Sequence, residues 1–380
     1  MPLHVLLTNP RLSQRTGAEL YVSDIATALL HRGHRPIVYA PVLGPLAHEL
    51  RAAPVPVVDD LSAIATRPDI IHGQQNHDLM TALLHFPGVP AVRLCHGWDG
   101  QRPQRFPRIF RFVAVDDTVR DRLVCEWGVP EADVDVVLNF ADMARFRPRP
   151  PLPVRPARAL VFSNDAALHL GVVRRACARQ GIDVDAAGLS VGAVAQRPER
   201  ILGRYDVVFA KARCAIEALA SGTAVVLCDQ AGVGPLVTIA NVDELRLLNF
   251  GWRTLRCALG VEPILRELSK YDADDAAQVT RKIRSTAGLD DTLNALVRIY
   301  EEVIRESLES KPVDLGDELR AAAAYVQALG PMLEEYSSLR GSVYRLLKQM
   351  YFRCEQVRIV QRLLPSRLRA RRLAKGLRRF

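Results

Sequence analysis

The stretch YDVVFAKARCAIEALASGTAVVLCDQAGVGPLVT, residues 205–238, decides how the chain is read. Asp206 to Ala210 is an apolar run short enough for a buried strand. A helix-compatible segment starts at Ala212 and stops at Gly222. Ala224 to Cys228 is a second apolar run, and it leads into a glycine-bearing turn from Ala231 to Pro235. Strand, helix and strand with short joints make a βαβ unit, whose strands lie parallel. Glu217 sits inside the helix among alanines and leucines, where a carboxylate is costly without a partner.

The same alternation extends in both directions. HVLLTN (4–9), RPIVYAP (35–41), DIIHGQ (69–74), AVRLCHG (91–97), FRFVAVD (110–116) and DVDVVLN (133–139) read as strands. Helical patterns lie between them, at 18–33, 77–85 and 118–127. Strands separated by helices of this length predict a doubly wound α/β domain. Residues 145–158, RFRPRPPLPVRPAR, carry prolines at 148, 150, 151, 153 and 156, which exclude a helix or a central strand and make a stiff connection. The alternation then restarts with ALVFSN (159–164), a helix over 167–180, DVDAAGL (183–189) and a short helix over 198–205. Further helices are expected over 290–306 and 316–329. The predicted fold class is α/β: a Rossmann-like domain over 1–147, a proline-rich linker over 148–157, a second Rossmann-like domain over 158–310, and a helical basic tail over 311–380. The cleft between the two sheets, at the carboxyl ends of their strands, is the expected site.

The chain has 380 residues, enough for two cores, and its mean hydropathy of +0.02 suits a soluble protein. It contains no apolar run of about 18 residues that would span a membrane, and its start lacks the basic and apolar regions of a signal peptide. Seven scattered cysteines, an odd number, predict reduced thiols and a cytoplasmic setting. The net charge is +9, yet residues 340–380 alone hold 13 Lys and Arg against one acid, Glu355. The basic character therefore lies in the tail, where arginines interleave with leucines. That pattern predicts a peripheral contact with an anionic membrane at its inner face. No nucleic-acid module is recognisable, so no specific nucleic-acid partner is expected.

Candidate site residues follow from position. Gly17 lies at a strand-to-helix junction, where free backbone amides can approach a phosphate; the dinucleotide motif GxGxxG is absent. His96, next to Gly97, ends a predicted strand, whereas His72 and His77 read as structural or surface residues. No histidine pair has metal-ligand spacing, so no metal is expected. Lys211 and Arg213 flank the start of the helix that carries Glu217. Two cations and a helix dipole suit a diphosphate, and Glu217, a turn further in, could accept hydrogen bonds from a ribose. Ser163 and Asn164 end the first strand of the second domain. Each has a plainer alternative: Gly17 and Ser163 as helix starts, Glu217 as the ion-pair partner of a neighbouring cation.

Together these residues resemble the GT-B fold glycosyltransferases, above all glycosyltransferase family 4, over about residues 3–305. AIEALASGTAVVLCDQAGVGPLV is similar to that family's Glu-Ala-Met-Ala-x-Gly-x-Pro-Val-Val segment. TGAELYVSDIATALLHRGHRPIVYAP resembles its first glycine loop, helix and second strand. VDVVLNFADMARFRP resembles its Asn-Gly-Val-Asp…Arg-Phe segment, with Phe140-Ala141 in place of Gly-Val. The resemblance implies metal-independent, retaining transfer of a sugar from a nucleotide-diphosphate donor to a glycan or lipid-linked acceptor, in polysaccharide or cell-envelope synthesis, without a cofactor. It implies that Glu217 holds the ribose, that Gly17 lies near the diphosphate, and that His96 faces the sugar. Cations and backbone amides would stabilise the leaving diphosphate. Three departures stand out. Phe209 occupies the position of a second glutamate, Lys-Ala-Arg-Cys replaces Gly-Phe-Gly, and SNDAALH replaces Gly…Lys-Gly. Lys211 is then the expected substitute phosphate cation and, with His96, the catalytic candidate. The alternative readings are a non-catalytic GT-B scaffold and a nucleotide-sugar epimerase.

Overall fold

The structure is a computed structural model that describes residues 2–97 and 102–356, with side chains through residue 336. The first lobe holds β1 (His4–Thr8), β2 (Arg35–Tyr39), β3 (Val57–Val58), β4 (Ile70–Gly73), β5 (Ala91–Cys95), β6 (Ile109–Ala114) and β7 (Val134–Val136). They form one parallel sheet in the order β3-β2-β1-β4-β5-β6-β7. Central strands covered on both faces are mostly apolar; β4 and β5 are buried at every position, and each buries one polar residue, His72 and Arg93. Helices α1 (Gly17–His31), α2 (Pro45–Ala52), α3 (Asn76–His85) and α4 (Asp117–Asp121) connect them.

The second lobe holds β8 (Arg158–Phe162), β9 (Asp183–Ala187), β10 (Val207–Ala210), β11 (Ala224–Asp229) and β12 (Gly232–Leu236), ordered β12-β11-β10-β8-β9. Its helices are α5 (Leu170–Ala178), α6 (Ala212–Ala220), α7 (Val242–Leu247), α8 (Val261–Leu268) and α9 (Ala273–Thr286). The strand order reverses between β1 and β4 in one sheet and between β8 and β10 in the other. Such a reversal opens a crevice at the carboxyl edge. Phe209 on β10 is fully buried and packs with Val161, Val226 and Ile264 in the core.

Three expectations change. The turn over Ala231 to Pro235 is instead the edge strand β12, antiparallel to β11. Its turn-like composition has a steric cause, because a Cβ on Gly234 would lie 2.6 Å from the Thr254 carbonyl oxygen. The segment 198–205 forms two short 3-10 turns, Pro198–Arg200 and Leu202–Arg204, not one helix. The sequence assigns 158–310 to the second domain, yet α10 (Leu289–Glu309) packs on α1, β5 and β6 of the first lobe. It buries Leu293, Leu296, Ile299, Tyr300 and Val303, and its Tyr300 hydroxyl bonds His72 Nδ1 inside the first lobe. Arg32 meets Asp290 at 2.8 Å.

The outgoing and returning chains touch. Ala141 N–H donates to the Ala287 carbonyl at 3.0 Å, and Leu289 N–H donates to the Ala141 carbonyl at 3.2 Å. Residues 315–380 are a separate unit, described over 315–356 as one helix, α11 (Leu315–Gln356). Residues 357–380 of the basic tail lie outside the described residues. No described helix is long and apolar enough to cross a membrane.

Gly188, after β9, has φ +155, and a Cβ there would fall 1.8 Å from the Ser163 carbonyl oxygen. The loop after β8 is packed directly on this glycine. Gly188→Ala is expected to destabilise the fold by about 2–4 kcal/mol, through clash and strain. Urea denaturation followed by circular dichroism measures it, and a loss below 1 kcal/mol would show that the loop yields.

Candidate functional site

The two strand-order reversals present one helix start each. α1 begins at Gly17 behind Thr16. The buried Glu19 carboxylate accepts from Thr16 N–H at 3.1 Å and from Gln14 N–H at 3.3 Å, which pins the loop ahead of the helix. A Cβ on Gly17 would meet nothing within 4 Å, so the space over this first turn is open.

α6 begins behind Lys211 with an unusual joint. Ala212 has φ +50, a left-handed conformation that costs a residue with a Cβ roughly 1–2 kcal/mol. Its N–H donates to the Phe250 carbonyl at 2.9 Å. This abrupt turn sets Lys211 at the sheet edge, between β10 and α6. Lys211 Nζ pairs with Asp229 at the end of β11, and the lysine side chain remains 39% exposed.

Arg213 behaves differently. Its Nη2 pairs with Asp24 of α1, and its Nε donates to Glu217 Oε1 at 2.8 Å. Asp24 also accepts from Arg145 at 3.1 Å. Burial pulls the guanidinium pKa down, but Asp24 and Glu217 more than offset it and hold the cation charged. Burial raises the Glu217 pKa, with Arg213 opposing. The partner that makes the buried carboxylate tolerable is therefore Arg213, the plainer of the two readings of Glu217. Asp24, Arg145, Arg213 and Glu217 form a charge-balanced cluster that ties α1 to α6. Arg213 is thereby committed to the protein, while Lys211 keeps its exposure.

On the first lobe, His96 Nε2 donates to Gln74 Oε1. Burial pushes the His96 pKa down to about 3, so the imidazole is neutral at physiological pH. The ring meets Tyr21 edge-on at 5.0 Å, Tyr21 meets Phe140 at 5.3 Å, and the Arg213 guanidinium lies 5.5 Å over Phe140. The structure thus links His96 to the charge cluster through two rings. His72 is fully buried and bonded to Tyr300, a structural role, and His77 is exposed. Ser163 Oγ accepts from Asp165 N–H at 3.2 Å and the Asn164 carbonyl accepts from Ser190 N–H at 2.8 Å, so both residues serve the local turn. Among the described residues, no group of three or more His, Cys, Asp or Glu side chains is arranged to hold a metal ion.

Sequence reasoning missed Asp24, Asp116, His169 and Asp229. Asp24 falls on the Gly17–Tyr21–Ala28 face of α1, so an acid on a buried helical stripe was a readable sign. His169 is fully buried, and neither ring nitrogen makes a hydrogen bond of good geometry. Burial lowers its pKa, with Asp229 and Lys211 as the nearby charges. Nothing in the local sequence marks it. Asp116, at the end of β6, caps α4 by accepting from Val119 N–H at 2.7 Å, and burial raises its pKa to about 6.

Two doubly wound lobes in series are the fold of the GT-B glycosyltransferases. Residues 15–145 match the family described as Glycosyltransferase Family 4. Solved structures agree in fold. A glycosyltransferase from Rickettsia africae ESF-5 superposes with a TM-score of 0.59 at 14% identity, over 82% of this chain and 100% of that one. Alr3699/HepE from Anabaena, solved with UDP and glucose, gives 0.54 at 13% identity, over 79% and 99%. AviGT4, a glycosyltransferase involved in avilamycin A biosynthesis, gives 0.51 at 17% identity, over 80% and 98%. No curated protein matches the chain in sequence.

Asp24→Ala would leave Arg213 buried with one carboxylate fewer, at an expected cost of about 3–5 kcal/mol in chemical denaturation. The Asp116 pKa rises from 3.8 to about 6 on folding, so the folded state favours the protonated acid. Its contribution is fully present below about pH 4 and is lost as pH rises through 6. Asp116→Asn can keep the cap, so it should match the wild type at pH 4 and exceed it by about 3 kcal/mol at pH 7. Equal stabilities at both pH values would show that Asp116 ionises freely in the fold.

Proposed function

We propose that the chain is a glycosyltransferase that moves a sugar from a nucleotide-diphosphate donor, seated between the lobes, to an acceptor hydroxyl. The observation that carries this reading is Lys211. It is a partly exposed cation at the start of α6, on the carboxyl edge of the second sheet, beside the reversal between β8 and β10. A helix start with a cation beside it suits a diphosphate. The open turn at Gly17 offers a second set of amides. HepE, which shares the fold, was solved with UDP and glucose, which supports a uridine nucleotide as the first donor to try.

In this reading Lys211 exchanges Asp229 for the diphosphate and, with the α6 amides, stabilises the charge that develops as the sugar leaves. The acceptor hydroxyl attacks on the face the diphosphate departs from, so configuration is retained, and the leaving oxygen takes the acceptor's proton. Glu217 Oε1 is spent on Arg213, and Oε2, which no described residue bonds, accepts from a ribose hydroxyl. His96, kept neutral, offers hydrogen bonds to the sugar rather than charge. The acceptor is a glycan or a lipid-linked glycan of the cell envelope, on the strength of the family resemblance, and the reaction is cytoplasmic and uses no metal.

Thermal-shift screening with UDP, GDP, ADP and their sugars tests the reading, since a donor at 100 times its Kd stabilises the native state by about 2.7 kcal/mol. Lys211→Ala is expected to weaken nucleotide binding by roughly 10–100-fold. His96→Ala should leave that binding intact and lower transfer by at least the roughly 100-fold typical of a positioned polar group. Folded protein that binds none of the panel would refute donor binding. Binding without turnover would leave a non-catalytic GT-B scaffold, and isomerised donor without transfer would leave an epimerase.

A further inference from the structure

The structure points to a use for α11 that is independent of nucleotide chemistry. This helix is 42 residues long. Leu319, Ala322, Val326, Leu329, Leu333 and Tyr336 follow one another at alternating steps of three and four. Such spacing averages 3.5 residues, the heptad period, rather than the 3.6 of a straight helix. In the sequence the pattern continues through Val343, Leu347, Met350 and Cys354, broken only by Arg340. The stripe is not covered by the helix's own unit: Leu319, Val326, Leu333 and Tyr336 are 61%, 64%, 62% and 65% exposed. Asp317, Arg320, Glu334 and Glu335 all fall off the seam.

A straight helix drifts by about 20° per heptad, so a 3.5-residue stripe stays against a partner only if the two supercoil around each other. We propose that α11 forms a two-stranded coiled coil with α11 of a second copy of this chain. Charge favours an antiparallel pair. Residues 315–336 carry Asp317, Glu318, Glu334 and Glu335 against Arg320, while residues 340–356 carry Arg340, Arg345, Lys348 and Arg353 against Glu355. Antiparallel pairing sets the acidic half of each helix beside the basic half of the other, whereas parallel pairing stacks like on like. The acidic half also argues against a lipid surface, since anionic headgroups repel it.

The test is the molar mass of the full chain at about 50 μM by light scattering after size exclusion. The expected value is twice 42.2 kDa. Placing lysines in the seam with Val326→Lys and Leu333→Lys should raise the dimer Kd at least 100-fold and return the 42.2 kDa monomer. Arg320→Gln with Glu334→Gln, off the seam, should leave the dimer. Unchanged thermal unfolding of the two lobes would confirm that both variants are folded. Raising NaCl from about 50 to 500 mM should weaken the dimer, because screening removes the attraction; a dimer strengthened by salt would overturn the antiparallel arrangement. A monomeric wild type, or a seam variant that stays dimeric, would overturn the pairing itself. So would a monomer that floats with phosphatidylglycerol vesicles and loses flotation in the seam variant, since that assigns the stripe to lipid.

Discussion

The buried guanidinium of Arg213 is the constraint on which the rest of this molecule depends. A cation removed from water must be neutralised nearby, and here the two carboxylates come from different lobes, Asp24 from α1 and Glu217 from α6. That requirement fixes how the two helix starts approach each other. It also explains why a carboxylate can stand in the middle of an apolar helix. With Arg145 closing the set on Asp24, the charges of this cluster balance, while Lys211, paired with Asp229, stays partly exposed.

The joint at Ala212 belongs to the same economy of space. A short left-handed turn at Ala212 opens α6, and Phe209 fills the core just before it. The edge here is compact: one lysine paired to Asp229, a histidine sealed behind it, and a helix dipole. Strain retained next to a cleft, where a glycine would have removed it, fits a place where backbone geometry aims a side chain.

Most of the fold was legible because parallel strands buried on both faces are mostly apolar: β10 reads so throughout, β1 and β11 but for their ends, and β4, β5 and β6 with one polar residue each, His72, Arg93 and Arg111. β12 was not, because the close approach of the Thr254 backbone imposes glycine on a strand. The lobe to which α10 belongs was not legible either, since an amphipathic stripe says that a helix packs but not on what. Among the candidate site residues, Lys211 and His96 could be picked out by their places at a helix start and a strand end, and Glu217 as a carboxylate inside an apolar helix. Their partners could not, because Asp24 meets Arg213 across 189 positions of sequence. Asp116 and His169 owe their character to burial, which only the folded chain reveals.

The chain passes between the lobes twice, and the two passages are hydrogen-bonded side by side at Ala141, Ala287 and Leu289. Mechanically this is a two-leaf flexure. A single strand would let the lobes twist and slide, whereas two bonded strands bend easily about one axis and resist torsion. The same pairing fixes the place where the two lobes join, next to the ion pair between Asp24 of α1 and Arg213 of α6. The proline-rich segment itself is fastened to the second lobe, through Arg149 N–H to the Ser221 carbonyl and the Tyr271 hydroxyl to the Pro153 carbonyl, so cutting it would leave both bonded passages uncut.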